Sequence, residues 1–130
     1  LSTVSRNADT IRALIDAMNA HDTEALLGCY APAAVIQYPG RAAQTPPEYV
    51  AGERAMLDAV PDYQIAATSL LEAEDHVVLE LRATGTQRSD LGGRSFAITG
   101  AYIFRLADGS IVEERAYPDI AGLRRQLSPR

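Results

Sequence analysis

A chain of 130 residues with a net charge of -5 and 47% hydrophobic residues suits one domain with its own core, and without a basic stripe it is a poor partner for nucleic acid. All twelve basic residues are arginines, and the missing lysine excludes Schiff-base aldolases, pyridoxal enzymes and Walker-type phosphate loops. The lone Cys29 has no partner for a bridge, His21 and His76 stand at no metal-ligand spacing, and no long apolar run or leader-like segment occurs, so a soluble, cytoplasmic protein without metal, cofactor or membrane partner is expected.

Val4, Ala8, Ile11, Ile15 and Met18 step by four and three residues, which predicts a first helix with one apolar face. Ser2, Thr3 or Ser5 can cap it. Asp22 is a good N-cap for a second helix running through Tyr30 and ended by Ala31 and Pro32. Val35 to Tyr38 reads as a short strand closed by Pro39 and Gly40. Thr45 followed by Pro46, Pro47 and Glu48 starts a third helix, which carries Tyr49, Val50, Met56 and Leu57 and stops before Pro61.

The second half reads as four strands, at 63–73, 76–87, 94–106 and 110–117. Val77, Leu79, Leu81 and Ala83 alternate with Val78, Glu80, Arg82 and Thr84, and Phe96, Ile98, Gly100, Tyr102 and Phe104 share a face. A short helix from Ile120 to Leu127, which Asp119 can cap, ends the series. Three helices followed by a meander imply an α+β fold, and Gly85 and Gly100 suggest kinks that curl the sheet around a hollow.

Four stretches carry a family likeness. They are Met18-Asn19-Ala20-His21-Asp22, Val60-Pro61-Asp62, Leu81-Arg82-Ala83-Thr84-Gly85-Thr86 and the run from Phe104 to Glu114. Together they resemble the SnoaL-like polyketide cyclases and the ketosteroid isomerases of the nuclear transport factor 2-like superfamily. The resemblance implies a single domain over 1–130, in which a curved antiparallel sheet and three N-terminal helices form a cone-shaped pocket. It also implies a homodimer, assembled through the outward sheet face that carries Glu80, Arg82, Thr84, Thr99, Ala101 and Arg105.

The family's acids do not carry over. The isomerases' general-base aspartate falls at Tyr38, their helix-one tyrosine at Leu14 and their oxyanion-side acid at Tyr102. The cyclases' last-strand aspartate falls at Ala116, and their strand histidine again at Tyr102. Glu114 lies two residues before Ala116 and projects to the same sheet face, so it is the carboxylate that can substitute. An apolar pocket would raise its pKa toward neutrality and suit it to proton transfer beside a carbonyl. Tyr102 and Tyr38 would then donate to the enolate oxygen.

Leu14, Met18, Tyr30, Tyr49, Met56, Leu81, Ile98, Phe104 and Ala116 are the expected substrate-binding residues. The resulting expectation is a cofactor-free cyclase or isomerase of antibiotic-type biosynthesis acting on an apolar, polyketide-like carbonyl compound. The alternatives are a non-catalytic binder of an apolar small molecule and an epoxide hydrolase, the latter requiring two carboxylates bridged by an arginine.

Overall fold

A computed structural model describes residues 3–129, with side chains from Arg6 onward. The elements run α1 (Thr3–Asn19), α2 (Thr23–Leu27), β1 (Tyr30–Gln37), α3 (Pro46–Ala59), β2 (Gln64–Ala73), β3 (His76–Thr86), β4 (Ser95–Ala107), β5 (Ser110–Pro118) and α4 (Ile120–Leu127), with one 3-10 turn at Ser89–Leu91. The caps expected of Ser2, Thr3 and Ser5, and the packing of Val4, lie outside the described side chains.

The α+β fold stands as expected, and the four later strands fall within a residue or so of the limits read from alternation. They pair antiparallel in the order β5-β4-β3-β2. The fourth pairing is different: β1 lies parallel to β5, so the curved, unclosed sheet is mixed. This strand also corrects the sequence reading, because it begins at Tyr30, where the second helix was expected to continue. The helix stops at Leu27, and Ala31 and Pro32 belong to the strand. Pro32 is tolerated because β1 is an edge strand, and the pairing is irregular between Tyr30 and Val35.

Helix starts follow local chemistry. The Asp22 side chain accepts from the Ala25 N–H, and Asp119 from the Gly122 N–H. Thr45 and Glu48 form a reciprocal capping box that fixes where α3 begins, and hence which residues it turns inward. His21 is half-buried rather than exposed. It adopts a left-handed φ of 56°, and its Nε2 lies 2.9 Å from the Tyr63 carbonyl oxygen.

Helix α1 packs on β2 and β3, and α3 on β1. The core between helices and sheet holds Ile11, Leu26, Ile36, Val77, Leu79 and Phe104, each nearly or fully shielded from solvent. On the opposite sheet face Val35, Leu71 and Tyr117 stay exposed among charged neighbours.

Gly85 sits where β3 meets the end of α3. A methyl group added there would run into Val60 Cγ1 and lie 3.1 Å from the Phe96 ring. Neither neighbour is a flexible chain end that can swing away. Gly85→Ala is therefore expected to lower stability by about 1–3 kcal/mol through overpacking. Thermal or urea unfolding of the variant would measure it, and a wild-type midpoint would contradict the packing argument.

Candidate active site

A cavity of about 190 Å³ lies between the sheet and the helices, bounded by α1, α3, the inward side chains of β2 to β5 and the start of α4. Glu114, Tyr102 and Tyr38 all line it. So do Leu14 and Met18 from α1, Tyr49 and Met56 from α3, and Leu81, Ile98 and Phe104 from the sheet. Two expected wall residues are not there. Tyr30 is buried off the wall and reaches Glu114 with its hydroxyl. Ala116 is fully buried in register with Tyr102, and its methyl group is too short to reach the hollow beside that ring.

The register of the sheet explains the burial of Glu114. Cross-strand pairing places Ile36, Glu114, Phe104 and Val77 in one row, and each is 1% exposed or less. A carboxyl in that row has lost nearly all its water. The Tyr30 hydroxyl donates to Oε1 at 2.5 Å. Among the described residues no side chain or backbone group bonds Oε2, and Glu114 lines the cavity. Burial pushes the Glu114 pKa up to about 8; the Tyr30 bond pulls it down and the charge of Glu53 pushes it up.

Glu53 escaped the sequence reading. It lies on α3 and lines the cavity with Tyr49 and Met56. The signal was present: Tyr49, Glu53 and Met56 stand four and three residues apart, on one helical face. Burial raises the Glu53 pKa to about 7, against a downward pull from Arg41. Tyr63, Ile65, Leu79, Phe96, Pro118, Ile120 and Leu123 complete the wall and were also missed.

The phenols are donors at neutral pH. Burial, then the charge of Glu114, holds Tyr38 well above the usual tyrosine range, and burial, then Tyr63, does the same for Tyr102. Rings run outward from the acid: Tyr30 and Tyr49 are tilted with centres 5.7 Å apart, Tyr49 and Tyr38 are stacked with centres 6.3 Å apart, and the Arg41 guanidinium lies 5.6 Å from the Tyr38 ring centre. The cavity thus offers phenolic donors and two acids of raised pKa on otherwise apolar walls. That suits an uncharged ligand bearing oxygen acceptors.

The SnoaL-like domain model matches residues 11–114, and the chain belongs to that family. Among solved structures, IdmH from Streptomyces antibioticus, described as a candidate polyketide cyclase, is 27% identical, with a TM-score of 0.81 over 93% of this chain and 97% of that one. A candidate SnoaL-like polyketide cyclase from Jannaschia sp. CCS1 superposes with a TM-score of 0.85 at 22% identity, covering 100% of this chain and 98% of the other. An LEH-like epoxide hydrolase from M. tuberculosis reaches 0.80 at 15% identity, over 97% and 92%, a likeness of fold alone. No curated protein matches the chain by sequence. Among the described residues no helix is long and apolar enough to cross a membrane.

Proposed function

We propose that the protein is a cofactor-independent cyclase or isomerase for a polyketide-like carbonyl compound, with Glu114 as its acid/base residue. The observation that carries this reading is a carboxyl 1% exposed, bonded at one oxygen by Tyr30, that lines an apolar hollow. Such burial costs free energy, and a pKa near the working pH is what a proton-transfer group needs. Tyr102 and Tyr38 serve as donors to the enolate oxygen, an interaction commonly worth several kcal/mol in a dry site. Leu14, Met18, Leu81, Ile98 and Phe104 hold the apolar body of the ligand, so that its reacting carbon is presented to the acid.

Membership of the SnoaL-like family and the likeness to IdmH support this reading. The epoxide-opening alternative lacks its arginine bridge, since no arginine lines the cavity among the described residues. Incubation with linear and aromatic polyketones, followed by chromatography and mass spectrometry, tests the proposal. New cyclised or isomerised product is expected. A ligand-dependent rise in melting temperature with no product at all would instead make the pocket a binding site only.

A further inference from the structure

We infer that Glu53 is a second proton-carrying residue of this pocket, taking the carbon-bound proton while Glu114 delivers one to oxygen in the ring closure that the cyclase reading implies. The inference rests on the acid/base reading of Glu114 and goes beyond it.

Glu53 is held inward by its helix. With α3 started by the capping box, Tyr49, Glu53 and Met56 fall on the face toward the cavity, while the adjacent Arg54 turns out to bond Thr23. Glu53 is part-buried, and a carboxyl withdrawn from water on an apolar stripe costs free energy unless it is paired or hydrogen-bonded. Among the described residues Glu53 forms no ion pair that would compensate.

The two acids also have different partners. Glu114 has Oε1 taken by Tyr30, so Oε2 is the oxygen left to carry a transferable proton in the cavity that Glu114 lines. Glu53 shares a side cleft with Arg41, whose positive charge favours the ionised carboxylate. Tyr38 and Arg41 from the loop after β1, Tyr49 from α3, Tyr63 before β2, Tyr102 from β4 and Glu114 from β5 are the titratable or charged groups around Glu53. Arg41 is the only cation among them.

The step balances within the pocket. The Glu53 carboxylate removes a proton from a carbon beside the first carbonyl, and the C–H electron pair becomes the enolate. The enolate carbon forms a C–C bond to the second carbonyl carbon, whose π pair moves to its oxygen. That oxygen takes the proton of Glu114. Glu53 is left protonated and Glu114 ionised, and exchange of one proton through water restores the start.

Acetonylacetone, a small linear diketone, in heavy water separates the two roles, because deuterium uptake beside the carbonyl reports the first step, and hydroxymethylcyclopentanone, together with the methylcyclopentenone it gives on losing water, reports the whole. The wild-type protein is expected to accelerate both. Glu53→Gln should lose both by about 10²-fold, whereas Glu114→Gln should keep exchange and lose ring closure. Glu53→Asp, which keeps a titrating acid one methylene back, should recover part of the exchange. Arg41→Gln should move the pH midpoint of exchange upward.

Wild-type exchange in Glu53→Gln would overturn the inference, and loss of ring closure in Glu114→Gln would still uphold the underlying reading. Wild-type ring closure in Glu114→Gln would remove that reading itself. A wild-type protein that neither exchanges nor closes the diketone would remove both. A pH midpoint unmoved in Arg41→Gln would overturn the part given to that residue.

Discussion

Replacing Glu114 by glutamine is expected to lower turnover by about 10²-fold or more with little change in ligand affinity. Glutamine has nearly the same shape, and its amide oxygen can still accept from the Tyr30 hydroxyl that now bonds Oε1. What it loses is the ability to release and regain a proton in the cavity that it lines. The apolar wall is untouched, so the binding terms made by Leu14, Met18 and Phe104 remain. Transition-state stabilisation should therefore fall while ground-state binding holds, a drop in kcat with KM nearly constant. Steady-state kinetics on any polyketone that the wild-type protein converts would decide it. An unchanged kcat would remove Glu114 from the chemistry, whatever its burial.

The later strands and most helix starts were legible because their signals are local. Alternation from Val77 to Ala83 states which face is buried, and Thr45 with Glu48 states where α3 begins. What is non-local was not legible. The parallel pairing of β1 with β5 joins segments far apart in the chain, and no period within Tyr30–Gln37 announces it. That strand's burial does not alternate until its second half, since Pro32 and Ala33 are both exposed at the sheet edge.

The site divided in the same way. Glu114 was found from its two-residue offset to Ala116, a statement about one strand. Tyr30 was expected on the wall, and its bond to Glu114 depends on two strands meeting across the sheet. Glu53 was missed for a different reason: a charge on a helix usually faces water, and here the apolar stripe of α3 runs through it. A carboxylate at the stripe position between Tyr49 and Met56 was the available clue.

The same two acids should make this protein less stable as pH rises, the reverse of the usual behaviour of carboxylates. Their folded-state pKa values, about 8 for Glu114 and about 7 for Glu53, lie above the ordinary 4.5. Between pH 4.5 and 8 the native state therefore keeps protons that the unfolded chain has released. Stability falls in that window by about 1.4 kcal/mol per pH unit for each proton so retained. Below it the slope reverses, because Glu48, Asp62 and Asp90 have lowered values and lose their native contacts as they protonate. Maximum stability is thus expected near pH 4.5 to 5, with a continuous loss from there toward pH 8. Glu114→Gln should flatten the alkaline side and be more stable than wild type at pH 8, because no charge then has to be held in the row of Ile36, Phe104 and Val77. Urea unfolding at pH 5, 6.5 and 8 for both proteins gives the comparison. A wild-type midpoint that stays level or climbs toward pH 8 would mean that these carboxyls ionise freely, and a group that ionises as it does in water has no reserved proton to lend a substrate.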